Sequence, residues 1–171
     1  MRILFIQTGG TIDKDYPRKK NGYAFEIGVA AVHRILSNIV FNFSEDVLSV
    51  LQKDSSDITD SDRSKLLEFV ASRKEDKIII THGTDTMIKT AEILNVIVDK
   101  TIVITGAMRP EKFSDSDAPF NVGFAVAAVQ ILNPGVYIAM NGRVYNWDRC
   151  IRDDDGSFSD RYSDSYMKEF S

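Results

Sequence analysis

Two threonine-rich stretches carry the residues best suited to chemistry: Thr8-Gly9-Gly10-Thr11 within FIQTGGTI at 5–12, and His82-Gly83-Thr84-Asp85 within IIITHGTDTM at 78–87. In both, an apolar run rich in β-branched residues stops abruptly at glycine and hydroxyl residues. Gly9 and Gly10 permit positive φ and let a ligand come close to the backbone, while Thr8 and Thr11 set hydroxyls beside amide N–H groups. Such a turn can hold a hydroxyl nucleophile, and it equally suits an ordinary tight turn or a phosphate loop. Neither G-x-G-x-x-G nor G-x-x-x-x-G-K-[ST] occurs, so no nucleotide motif supports the phosphate reading. Thr84 and Asp85 stand where a helix should begin, either facing a ligand with the positive end of the helix or simply capping it.

Five short runs must position these turns: 2–7, 46–52, 77–82, 101–107 and 135–140. They are mostly apolar on both faces, as strands covered by helices on each side should be. Helical patterns lie between them at 28–40, 59–73, 84–97 and 118–132, the second opened by Thr59-x-x-Asp62 and the last with Pro119 near its first turn. Strand and helix alternate, which predicts a single-domain α/β fold: an open, doubly wound, Rossmann-like or flavodoxin-like sheet, mostly parallel, with helices on both faces. In such sheets ligands bind beyond the carboxyl ends of the strands, where the strand order reverses. Both threonine turns, QKDSSD after the second strand and GAMRP after the fourth would meet at that edge.

Composition excludes several classes. The 171 residues are 43% apolar and 27% charged, as in an average globular chain, and the net charge of −4 comes with no basic cluster beyond PRKK at 17–20, so no nucleic-acid partner is expected. No apolar stretch is long enough to span a bilayer, and no membrane role is expected. The single cysteine, Cys150, and the absence of a signal-peptide pattern after Met1 predict a cytoplasmic protein. The acidic residues at 153–155 and around Asp115 and Asp117 lack histidine or calcium-loop spacing and read as solvated surface, so neither a metal nor any other cofactor is implied. Past about 150 the chain turns polar, with Phe158, Tyr162, Tyr166 and Phe170 spaced by four. Residues 152–171 are therefore expected to form a tail, either loose or folded as a docked amphipathic helix.

Taken together, T-G-G-T-I at 8–12 and H-G-T-D-T-M at 82–87 resemble the two signature motifs of the L-asparaginase family of amidohydrolases. The likeness continues in order through DSSD at 54–57, GAMRP at 106–110, APFN at 118–121 and VYIAMNGRVYNWDR at 136–149. It assigns residues 1–151 to that family's N-terminal α/β domain.

The resemblance implies hydrolysis of L-asparagine to L-aspartate and ammonia, with L-glutamine a weaker candidate. Thr11 would be the nucleophile that forms an acyl-enzyme. Tyr23, in a Gly-bearing polar segment at 13–27 suited to a closing lid, would accept its proton, with Tyr16 a weaker substitute. Thr84 and Asp85 would form the second catalytic group, Asp85 also holding the substrate's α-amino group. Ser55, with Ser56 and Asp57 beside it, would bind the α-carboxylate. Thr8, Gly9, Gly10, Gly83 and Ala107 would give backbone or supporting contacts, including donors to the oxyanion. His82 and His33 read as packing residues.

Two departures stand out. The family pattern implies a lysine after the fifth strand, completing a triad with Thr84 and Asp85. Here Arg152 occupies that segment, and an arginine holds charge but does not release its proton. The family's smaller C-terminal domain has no counterpart in this sequence, which predicts a homodimer or higher homo-oligomer. A binding module that keeps the amino-acid pocket without turnover, as a sensor or partner subunit, is the competing reading.

Overall fold

The computed structural model describes residues 1–16 and 24–162. Its elements run β1 (Arg2–Gly9), β2 (Lys14–Asp15), β3 (Glu26–Ile27), α1 (Val32–Ser37), β4 (Ser44–Lys53), α2 (Asp60–Ser72), β5 (Lys77–Thr81), α3 (Met87–Leu94), β6 (Thr101–Thr105), α4 (Ala118–Ile131), β7 (Gly135–Met140), β8 (Arg143–Asn146), β9 (Cys150–Arg152) and β10 (Phe158–Asp160). The main sheet has the order β4-β1-β5-β6-β7-β8. Its first five strands are parallel and β8 is antiparallel at the edge.

Alternation along the strands divides the core into two layers. Leu4, Ile6, Ile78, Ile80, Ile102 and Ile104 face α2 and α3, where Leu66, Val70, Met87 and Leu94 meet them. Ile3, Phe5, Ile79 and Val103 point the opposite way, toward Val32 and Ile35 of α1 and Val122 and Val129 of α4. All of these side chains are buried. Burial on both sides is what makes the parallel strands continuous apolar runs rather than alternating ones. α2 begins with a full capping box, Thr59 accepting from the Asp62 amide while Asp62 accepts from the Thr59 amide.

From β1 the chain moves to one side to form β4, then returns to form β5 on the other side of β1. The sheet therefore reverses between β1 and β5, and the loops leaving those two strands flank the switch point. No helix among the described residues is long and apolar enough to cross a membrane.

Several elements differ from the sequence reading. Helix α1 is only six residues long, and α3 starts at Met87 rather than at Thr84. Strand β8 follows a two-residue turn in which Asn141 and Gly142 both have positive φ, as a tight hairpin requires. The expected tail boundary at 151/152 falls inside β9, and residues 150–160 form an antiparallel hairpin rather than a helix. The reason is packing: Phe158 is buried in the α2/α3 layer, and the Tyr145 hydroxyl donates to the Phe158 carbonyl at 2.7 Å. Tyr166 and Phe170 lie outside the described residues.

Candidate active site

The end of β1 is wedged between the ends of its neighbours, and its two glycines serve opposite sides. Gly9 has φ +106°, and a Cβ there would lie 2.4 Å from the Lys53 carbonyl oxygen of β4. Gly10 has φ +86°, and its Cβ would lie 2.3 Å from the Gly83 Cα. The Gly10 amide donates to the Lys53 carbonyl at 2.9 Å. On its other side Gly83 is as crowded, since a Cβ would come within 2.6 Å of Ser55 Oγ. Three loops thus stack with no room for a side chain at Gly10 or Gly83, and Thr11 and Thr84 are each the next residue along.

Hydrogen bonds hold this edge together. Thr8 Oγ1 donates to the Thr81 carbonyl at 2.8 Å, joining β1 to β5, and Thr105 Oγ1 donates to the Ala139 carbonyl at 2.8 Å, joining β6 to β7. Asn121 Nδ2 donates to the Gly106 carbonyl at 3.1 Å. Lys14, just past the Thr11 turn, pairs with Asp54 at 2.7 Å and keeps that carboxyl below its ordinary range.

The sequence-predicted residues fall as follows. Thr11 opens a 3-10 turn, Thr11–Asp13, at the rim of the edge and is half-buried. Thr84 is buried and Asp85 exposed, in the turn before α3, so neither is the N-cap; that position belongs to Thr86. Ser55 is buried beneath Gly83, whereas Ser56 and Asp57 are exposed. The Ala107 side chain lies in the α1/α4 layer, leaving its backbone as the part available to a ligand. Arg152 is brought to the site by the β9–β10 hairpin, its Nη2 2.9 Å from Asp85 Oδ1. Tyr23 lies outside the described residues. Tyr16 is exposed, packed at 5.7 Å from the Phe25 ring, which in turn meets Phe113 at 5.9 Å.

Two buried titratable groups support the loops. His82 is fully enclosed, with Nδ1 2.8 Å from the Gly83 carbonyl and Nε2 2.8 Å from Thr90 Oγ1. A carbonyl only accepts, so Nδ1 carries the proton, Nε2 accepts from Thr90, and the Thr90 oxygen accepts from Arg63 Nε at 3.2 Å. Burial pushes the imidazole down to about 4, with the Arg63 charge acting in the same direction. His82 is therefore a neutral brace for the Gly83 turn. Asp13, which sequence reasoning passed over, is buried with Oδ1 accepting the Ala31 amide at 2.8 Å, and its carbonyl accepts the Gly28 amide at 2.8 Å. It ties the Thr11 turn to the entry of α1. Its Oδ2 has no hydrogen-bond partner among the described residues. Burial pushes its carboxyl up to about 6, outweighing the lowering effect of the Ala31 amide. An apolar groove of about 380 Å³ between α1 and α4 shares no residue with this edge.

The two braces oppose each other in pH. Asp13 contributes stability below its unfolded value of 3.8 and loses it as pH rises through about 6; His82 contributes above 6.5 and loses it as pH falls through about 4. Between these limits each state binds one proton over the two sites, so their effects cancel. In Asp13→Asn only the His82 contribution remains. Urea denaturation should show this variant losing about 1.4 kcal/mol per pH unit more than the parent between about pH 6 and 4. Parallel profiles would contradict the buried-carboxyl account.

The family model described as Asparaginase, N-terminal, matches residues 2–157. L-asparaginase 2 of Escherichia coli is 35% identical over 152 residues, 83% of this chain and 43% of that protein. The glutaminase-asparaginase of Acinetobacter glutaminasificans is 31% identical over 157 residues, 84% of this chain and 47% of that one. The solved L-asparaginase of Thermococcus kodakarensis superposes with a TM-score of 0.79 at 28% identity, covering 94% of this chain and 51% of that chain. The chain thus spans about half the length of the relatives it matches.

Proposed function

The chain belongs to the asparaginase family, and on that premise we propose that it is an amidohydrolase converting L-asparagine to L-aspartate and ammonia, with L-glutamine a poorer substrate. The observation that supports this reading is the stacking of Gly10 on Gly83 at the sheet's switch point, Thr11 and Thr84 each being the next residue in the chain. In the proposed reaction the Thr11 oxygen attacks the side-chain amide carbon. Its proton passes through Tyr23 to the departing nitrogen, ammonia leaves, and water then cleaves the ester to release L-aspartate and restore the hydroxyl. Ser55, Ser56 and Asp57 bind the α-carboxylate end and Asp85 the α-ammonium, with Gly10, Gly83 and Ala107 contributing backbone. The mechanism calls on no metal or other cofactor.

Arg152 gives specific weight to a second reading. Its guanidinium stays protonated, so it can orient Asp85 and offset its charge but cannot draw a proton from Thr84. If turnover depends on such a base, the chain is an amino-acid-binding module. A cytoplasmic setting, consistent with one buried free thiol at Cys150, belongs to the same proposal.

Purified protein should release ammonia from L-asparagine faster than from L-glutamine, and Thr11→Ala should lower the rate at least about 100-fold. Release no greater than in the variant, together with a higher Tm in L-aspartate, would favour the binding module. We further propose a homodimer that covers the apolar α1/α4 groove, whose lining includes the exposed Ile39. Light scattering should give twice the chain mass; a clean monomer at micromolar concentration would contradict it.

A further inference from the structure

Thr86 occupies the N-cap of α3, where a threonine hydroxyl ordinarily accepts an amide from the first turn of the helix. Here it makes no capping bond. Its Oγ1 instead donates to the carbonyl of Ser55, 31 residues earlier in the chain, at 2.8 Å. That carbonyl also closes the short 3-10 turn Ser55–Asp57 by accepting the Ile58 amide at 3.4 Å. A side chain that could stabilise its own helix is thus committed to a different loop.

The loop it holds is already limited from the opposite sense. Ser55 presses against Gly83 so closely that a single added Cβ would come within 2.6 Å of its side chain. The Gly83 backbone sets how near the Ser55–Asp57 turn can come, and the Thr86 hydroxyl stops it from moving away. A wall and a tether together fix one spacing, whereas either alone would leave a range. On its other flank the turn is anchored by the ion pair of Asp54 with Lys14, which directly follows the Thr11–Asp13 turn.

We propose that Thr86 is a positioning residue that sets the spacing between the Ser55–Asp57 turn and the Thr11/Thr84 edge, and thereby the length of side chain the site accepts. This rests on the proposed reading that the turn binds the α-carboxylate end of the substrate. Asparagine and glutamine differ by one methylene, which shifts the reacting carbonyl by about 1.5 Å. A turn held at one spacing separates the two; a turn free to drift does not. Because the Thr86 hydroxyl is committed to the Ser55 carbonyl, its loss acts through the turn, on binding and selectivity more than on the chemical step.

The test uses Thr86→Val, which keeps the branched shape and removes the donor, with Thr86→Ala as a second donor-free variant and Thr86→Ser restoring the hydroxyl. In Thr86→Val the KM for L-asparagine should rise about tenfold with kcat changed less than about threefold, as expected for one lost hydrogen bond in binding. The ratio of kcat/KM for L-asparagine over L-glutamine should fall, and Thr86→Ser should return both values toward the parent. Amide hydrogen exchange, which needs no substrate, should quicken at 55–58 in both donor-free variants and stay unchanged through α3. Unchanged exchange at 55–58 would overturn the tether. Faster exchange with an unaltered KM and selectivity in an active parent would overturn its role in positioning. A parent that releases no ammonia would count against the hydrolase reading, while the exchange result would still decide the tether.

Discussion

Close approach of bare backbone at the switch point is the constraint on which the rest of the molecule depends. Gly10 lies on Gly83, Gly83 on Ser55, and Gly9 on Lys53, each at a distance that forbids a Cβ. Gly106 meets the His82 carbonyl in the same way. These contacts draw the loops after four parallel strands into one place, and polar side chains then fix the spacing. Thr8, Thr105, Thr86 and Asn121 each donate to a carbonyl of a neighbouring element. Buried carbonyls at strand ends need partners, and supplying them from side chains leaves the edge both rigid and irregular enough to form a site.

Charge is arranged around this edge with comparable economy. Burial holds the two buried titratable groups Asp13 and His82 neutral together between about pH 4 and 6, and over that range they brace without adding a field. The charged pair Arg152 and Asp85 sits at the more open rim. Its arginine arrives on a hairpin fixed by Tyr145, by buried Phe158, and by Arg143 and Arg149 on Asp160. A guanidinium there holds geometry but is closed to proton transfer, which concentrates any base chemistry on the Thr11 side of the site.

Much of the fold was legible in the sequence because β1, β5, β6 and β7 are buried over most of their length and read as apolar runs, while the edge strand β4 is only partly covered. The capping pattern at Thr59 and Asp62 likewise marked the start of α2. The Asn141-Gly142 dipeptide is a readable hairpin signal, yet β8 after it, Arg143–Asn146, is too short for its alternation to stand out. The spacing of Phe158 and Tyr162 by four imitated a helix, but burial of Phe158 beside Tyr145 favours a strand. Thr84 and Asp85 were singled out from local pattern. The tasks of Asp13 and Thr86 were not visible, since their partners lie 18 and 31 residues away and only the folded chain brings them together.

The central claim is that one amino-acid site lies across the ends of β1, β4 and β5. The most direct measurement is a titration of isotope-labelled protein with L-aspartate, followed through its backbone amide resonances. The amides of Gly10, Thr11, Ser55, Gly83, Thr84 and Asp85 should shift together along a single saturation curve. Shifts confined to the α1/α4 groove around Ile39, Phe43 and Val126, or no shifts at millimolar ligand, would contradict the account.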